Sequence, residues 1–372
     1  MSGYEYYEFQ ALDRALTEQE QSSIASLSSR SQVSARSASF VYNYGSFRAD
    51  PTKLLIEHFD ALFYVSSWGS TRLAFRFPKE LIDLRSIDQY CDEEQFTLTE
   101  LGDFAIVDID LHEEESYHDW LEGELWLPSL IRLRDSILNK DYRVLYLAWL
   151  KYNSDCTYHA DMQIQEPELP TGMNELTPAL NDFIEIFNVN KDLVKSAALR
   201  SEKLTPAADL SQEIKKLTRE DCNYFLMKLL DGQAHIDRLL RKRLSAILPL
   251  MKKKTLQPLR TLQEIVNGAD KIKQEVNQKK SEETERERIQ KLTELAVRKE
   301  QVWKHIDDLI NLAKAKYYDE AVNLLVQLKE LSIYEGNESA FYQRLERQVF
   351  IPYKRKTSLK KMLIYEFNLG EL

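Results

Sequence analysis

The fold is decided by a long stretch that contains neither glycine nor proline, ADKIKQEVNQKKSEETERERIQKLTELAVRKEQVWKHIDDLINLAKAKYYDEAVNLLVQLKELSIYE (Ala269–Glu335). Lysine, glutamate, glutamine, arginine, leucine and alanine dominate it, and all of these favour the interior of a helix. As one helix, residues 269–315 alone would extend roughly 70 Å, which exceeds the diameter of a compact domain. We therefore predict a long helix that projects from the protein or folds back as a hairpin.

An apolar seam runs along this stretch and the residues just before it. The seam consists of Ile265, Ile272, Val276, Trp303, Ile306 and Ile310. Spacings of three, four and seven residues are typical of a helix that packs on another helix. Residues 277–288 interrupt the seam because they include no apolar side chain, so we expect this part of the helix to be exposed. The seam either binds a protein partner or forms intramolecular core.

A second helix, Tyr317–Leu331, is predicted to follow a short turn and to run antiparallel to the first. Its Tyr318-Asp-Glu-Ala segment resembles part of a tetratricopeptide hairpin. Arrays of such repeats need about three copies to bury a core, and the sequence holds no second copy. We therefore predict a single helical hairpin.

The N-terminal part of the chain mixes strand-like and short helical patterns without regular alternation. The apolar runs Ala61–Ser67 and Thr71–Phe77 flank a tight turn and predict a β-hairpin. Residues 96–99 and 104–111 predict another. Such a mixture is typical of an α+β domain with an antiparallel sheet.

A linker-like segment, EPELPTG (Glu166–Gly172), follows this part, and the pattern after it is helical. We predict three parts: an α+β domain over residues 1–165, a helical domain over 166–258, and the long helix with its hairpin over 259–372.

Composition indicates a cytoplasmic protein. The 372 residues include 43% hydrophobic ones, enough for a core. The three cysteines show no zinc-site spacing, which favours reduced thiols. The N-terminus has no signal-peptide pattern, and no stretch approaches the ~20 apolar residues of a membrane span. We expect no cofactor; the oligomeric state is not predicted.

An acidic strand is the first alternative site. Residues 92–124 hold 13 acidic side chains and no lysine or arginine, and Asp108, Asp110 and His112 alternate along a predicted strand. Side chains on one strand face at this spacing could bind a divalent metal, as a metal-dependent hydrolase or nuclease requires. The other interpretation is the solvated face of an edge strand.

A basic segment is the second alternative site. It comprises Arg238, Arg241, Lys242, Arg243, Lys252, Lys253, Lys254 and Arg260, with no acid between the first and the last. Such a patch could contact the phosphates of nucleic acid. It could equally be a solvated helix end, or dock on the protein's own acidic N-terminal domain.

Three blocks of sequence carry a resemblance. YEYYEFQALDR (Tyr4–Arg14), WGSTRL (Trp68–Leu73) and the C-terminal Trp303…YDEAVNLL run resemble, in this order, a family of uncharacterised bacterial proteins. The resemblance covers most of the chain and implies a bacterial origin, but no activity and no catalytic residue. The IYEFN segment that begins at Ile364 is more aromatic than in those proteins.

No phosphate-binding glycine loop, GxSxG elbow or HExxH motif occurs in the sequence. The sequence therefore favours a non-enzymatic scaffold or interaction protein of the bacterial cytoplasm, with the seam as the contact for a protein partner. A nucleic-acid-associated protein and a metal-dependent hydrolase or nuclease are the two alternatives.

Overall fold

A computed structural model of the chain describes residues 3–43, 45–92, 94–112, 126–155, 163–204, 214–233, 235–247 and 260–367. The chain divides into two compact units, residues 1–273 and 274–372. The domain boundary that we predicted at 165/166 lies inside the first unit. The boundary predicted at 258/259 lies outside the described residues.

The first unit contains an antiparallel sheet, as the sequence predicted. Its strands among the described residues are β1 (Glu5–Gln10), β2 (Ser31–Val33), β3 (Ser37–Tyr42), β4 (Ala61–Ser66), β5 (Ser70–Pro78), β6 (Phe96–Leu101) and β7 (Phe104–His112). They pair in the order β2-β3-β1-β4-β5-β7-β6. Both predicted hairpins are confirmed, with Gly69 and Gly102 at positive φ in their turns.

Short helices connect and follow these strands. They are α1 (Glu18–Ala25), α2 (Pro51–His58), α3 (Leu84–Asp88), α4 (Leu127–Leu130), α5 (Arg132–Leu138), α6 (Arg143–Asp155), α7 (Pro178–Ile186), α8 (Lys191–Ala198), α9 (Arg219–Leu230) and α10 (Ile236–Ile247), with a 3-10 turn at Lys79–Leu81. Local sequence explains several of their starts: Thr17 and Glu20 form a capping box, and Asp50 caps α2 just before its proline.

Both faces of the sheet are covered. Because successive strand residues point to opposite faces, Phe63 joins one core and its neighbour Leu62 joins the other. The core around Phe63 is completed by α4 to α8, and the core around Leu62 by α1 and α2. Phe183 of α7 is fully buried in the first of these cores. Helices that we placed in a separate domain therefore share the core of the sheet.

The long helix is confirmed as α11, Leu262–Val297. The helix does not continue to residue 315. Arg298 has φ −104° and ψ 14°, outside the helical region, and this residue separates α11 from the next helix. Leu292 before this break and Ile306 after it belong to one core. Residues 277–288 are all exposed, as the sequence indicated.

The second unit is helical throughout its described part. After α11 it comprises α12 (Lys299–Asn311), α13 (Ala315–Tyr334), α14 (Glu338–Leu345), a π-helical turn (Glu346–Phe350) and α15 (Thr357–Phe367). Helices α12 and α13 form the predicted hairpin. In the part of the chain that the structure describes, no helix has the length and apolar character needed to cross a membrane.

Candidate functional site

The apolar seam is divided between the cores of the two units. Ile265 is fully buried in the first unit, in the same core as the sheet. Trp303, Ile306 and Ile310 are buried in the core of the second unit. Burial of this kind corresponds to the intramolecular interpretation of the seam. Its two remaining members are half-buried Ile272 and exposed Val276.

Trp303 shows how the second unit encloses the seam. The guanidinium of Arg344 lies 4.7 Å from the centroid of the indole ring. The same guanidinium binds both carboxylate oxygens of Glu300 at 2.6 Å, which holds the pKa of Glu300 below its usual range. A cation over the ring and packed side chains around it leave Trp303 little surface for a partner.

The acidic strand β7 lies inside the sheet, paired with β5 on one side and β6 on the other, and is not an edge strand. Arg72 of β5 binds Asp108, with 2.9 Å between Nε and Oδ1 and 2.5 Å between Nη2 and Oδ2. The His112 Nδ1 lies 2.9 Å from the Ser70 hydroxyl. No cluster of three His, Cys, Asp or Glu side chains that could hold a metal ion occurs among the described residues.

This geometry accounts for Asp108 without a metal ion. Register places Arg72 opposite Asp110, one pleat from Asp108, so the guanidinium reaches the Asp108 carboxylate diagonally. Sequence analysis missed Arg72 because the pairing of β5 with β7 joins residues 36 positions apart.

Much of the basic segment makes contacts within the first unit. Arg238 donates to the Asn139 side-chain oxygen at 3.0 Å and pairs with Asp135. Lys242 donates to the backbone carbonyl of Glu80.

Two further members of this segment are also paired. Arg243 binds Asp221 through Nε and Nη2, at 3.0 and 3.2 Å. Arg260 is buried beside Glu166. The three lysines Lys252, Lys253 and Lys254 lie outside the described residues. These contacts match docking of the basic segment on the protein itself.

A buried charge network anchors the start of α10, and sequence analysis did not find it. Asp60 accepts from the guanidinium of Arg76 at 2.7 Å and from the backbone N–H groups of residues 12 and 13. Arg134 binds both oxygens of Asp13 at 2.9 and 2.8 Å. The Nε2 atom of His235 lies 3.0 Å from Asp13 Oδ1. This chain of contacts links the sheet, α5 and α10.

The network also changes the acidity of Asp13. Burial by itself would raise the pKa of this carboxyl group. The close contact with His235 and the charge of Arg134 outweigh burial and hold the pKa of Asp13 below its usual range. Asp13 is therefore a carboxylate wherever the fold is intact near neutral pH.

A cleft of about 870 Å³ lies beside α10, in the first unit. Its walls come from the 3-10 turn and α3, from the C-terminal end of α5, and from the first two turns of α10. Its lining combines apolar residues with more basic than acidic ones. A cleft of this volume lies within the range of about 300–1,000 Å³ of small-molecule sites.

Helix α9 has an exposed apolar surface. A Thr218 capping box starts it, with Asp221 as the reciprocal partner. None of its twelve residues, all of them described, is buried. The exposed fractions are Tyr224 51%, Leu226 59%, Met227 57%, Leu229 64% and Leu230 81%.

The less exposed side of α9 is a stripe at helical spacing that contains Asp221, Cys222, Phe225 and Lys228. Its Asp221 forms the ion pair with Arg243 of α10, so this stripe faces α10. No described residue covers the apolar side chains outside the stripe well enough to bury them.

Models of known protein families, curated proteins and solved structures were all compared with the chain, and none of them matches it.

Proposed function

We propose that the protein is a non-enzymatic interaction component of the bacterial cytoplasm, and that it binds a protein partner through the apolar surface of α9. The observation that carries the proposal is the exposure of five large apolar side chains on one twelve-residue helix. Contiguous apolar surface of this kind marks interaction sites in proteins.

Helix energetics support the same proposal. An isolated helix shorter than about 12–15 residues is marginal in water, so most helices gain their stability from packing an apolar face. Here the packed stripe toward α10 includes Phe225 as its large apolar side chain, while Leu229 and Leu230 remain exposed. A partner that covers these leucines supplies the missing apolar contact.

The proposed contact surface on α9 is not the apolar seam that the sequence favoured as the partner contact. Among the seam residues, Val276 retains an exposed fraction of 50%. Its role in a partner contact stays a prediction. Sequence analysis did not identify the α9 surface. A pattern of apolar residues on a helix predicts that one face is buried, but it does not show which part of the protein or which partner buries that face.

The test compares Leu226→Lys/Leu230→Lys with Leu199→Lys as the matched control. Leu226 and Leu230 lie one turn apart on α9, and Leu199 is 76% exposed elsewhere in the unit. Tagged full-length protein is used to capture partners from the native host after nuclease treatment. The captured partner is then purified and titrated with each variant. We expect the double variant to weaken binding at least about tenfold and the control to bind as the wild type does.

Three outcomes would reject the proposal. One is equal binding by the double variant and the wild type. Another is capture that is lost on nuclease treatment, which would favour the nucleic-acid alternative. The third is a chain that captures nothing but forms a dimer, which the double variant dissociates in light scattering; that result assigns α9 to self-association.

A further inference from the structure

The cleft beside α10 has an apolar floor and a cationic rim. The floor is formed by Leu81, Ile82, Leu84 and Leu138. The described cationic side chains of the lining are Arg85, Lys140, Arg238, Arg241 and Lys242. The described acidic side chains are Asp83 and Asp237, which gives a formal lining charge of 5 − 2 = +3.

The two acids are fewer than the five cations of the lining and do not balance them. The Asp83 carboxylate is engaged in capping α3, where it accepts from the backbone N–H and the hydroxyl of Ser86. Arg238 is paired with Asp135, which lies outside the lining, and Lys242 donates to the backbone carbonyl oxygen of Glu80. Arg85 and Lys140 are exposed at the rim, and no described carboxylate forms an ion pair with either.

Lys140 adds a separate observation. It follows α5 with φ of 64°, a left-handed conformation that glycine or asparagine adopts at lower cost at the end of a helix. The backbone N–H of Lys140 donates to the Ile137 carbonyl at 2.9 Å, which holds the turn in place. A long cationic side chain is thus held at the mouth of the cleft at a position where the backbone favours glycine.

We propose that this cleft binds a small organic phosphate of the nucleoside di- or triphosphate class. The phosphate oxygens bind Arg85 and Lys140, because guanidinium and ammonium groups form their strongest hydrogen bonds to such anions. The base lies on the apolar floor. A volume of about 870 Å³ accommodates a ligand of this size. The site is independent of the α9 surface.

The test is calorimetric titration of the full chain at low salt with a metal-free nucleoside triphosphate, inorganic pyrophosphate and the nucleoside. We expect saturable binding of the triphosphate, at least about tenfold tighter than that of either fragment, and weaker binding at high ionic strength. Arg85→Gln and Lys140→Gly should each lower affinity about tenfold. Arg48→Gln and Lys203→Gln, which neutralise exposed cations outside the cleft, should leave it unchanged.

Lys140→Gly separates binding from stability, because glycine accepts the positive φ and should leave the melting temperature at or above that of the wild type. Absence of saturable triphosphate binding would overturn the proposal. Equal triphosphate affinity in Arg85→Gln and the wild type would also overturn it. So would a loss of affinity in the two control variants as large as that in the cleft variants. An aspartate hexapeptide that binds as tightly as the triphosphate would assign the cleft to acidic peptides instead.

Discussion

Arg260 and Glu166 form a buried bidentate ion pair, with 2.8 Å between Nε and Oε2 and 2.7 Å between Nη2 and Oε1. The hydroxyl of Tyr146 donates to the same carboxylate at 2.6 Å. Burial and the charge of Glu166 raise the pKa of Tyr146, so this hydroxyl keeps its proton. Arg260 also donates to the backbone carbonyl of Ser196 at 3.1 Å. Arg260, which the nucleic-acid alternative included among the phosphate contacts, is thus buried and held by Glu166.

Removing one side of this pair should destabilise the first unit. We expect Arg260→Met to lower the free energy of unfolding by about 3–5 kcal/mol, because Glu166 is then a buried carboxylate without its cation. Urea denaturation followed by circular dichroism measures the change. In the double variant Arg260→Met/Glu166→Gln the loss should be smaller than the sum of the two single losses. Simple additivity would show that the two side chains do not interact.

The Asp13 network predicts a pH dependence of stability. Since the folded pKa of Asp13 is below the unfolded value, its carboxylate stabilises the fold above pH ~3.9, and this stabilisation is lost as the pH falls through the folded pKa. Asp13→Asn should cost about 1–3 kcal/mol at pH 7, because Arg134 loses the nearer of its two carboxylate partners, Asp13 and Asp60. The difference from the wild type should shrink below pH ~4. The measurement is urea unfolding at a series of pH values, with exposed Asp270→Asn as the control. A difference that stays constant down to pH 2 contradicts the assignment.

The two interpretations of the apolar seam differ in their predictions for Ile306. Ile306 is fully buried, so Ile306→Ala should lower the stability of the second unit by about 2–5 kcal/mol. Val297 is 88% exposed on the preceding helix, and Val297→Ala should change stability by no more than about 0.5 kcal/mol. Thermal unfolding of the full chain compares them. If Ile306→Ala unfolded like the wild type and lost a partner instead, the seam would be an interface.

Gly268 tests the packing of α11 on α8. A Cβ atom at this position would lie 2.3 Å from the Ser196 hydroxyl oxygen, which donates to the Ile265 carbonyl at 2.9 Å. In a helix interior, glycine to alanine normally stabilises by about 1 kcal/mol. We expect Gly268→Ala to lose this gain or to destabilise, because the serine must rotate and break its hydrogen bond. The same substitution in a Ser196→Ala background should recover the gain, and equal effects in the two backgrounds would show that α8 and α11 do not meet here.

The sequence by itself determined the elements whose causes are local. Thr17 with Glu20, and Asp50 before Pro51, specify helix starts through contacts within three residues. The turns at Gly69 and Gly102 specify the two hairpins. The period of residues 269–335 specifies helices, and the apolar-free segment 277–288 specifies an exposed one.

Only the tertiary structure decided which charged and apolar side chains find partners. Arg260 meets Glu166 across 94 positions, and Arg134 meets Asp13 across 121, so no local pattern indicates either pair. For the same reason the basic segment was predicted as one surface, although its described members contact different parts of the first unit. Apolar residues recur at helical spacing in both α12 and α9, yet those of α12 include buried ones and none in α9 is buried. The difference arises because burial depends on what the rest of the chain packs against a helix, and a helical period specifies only which face is apolar.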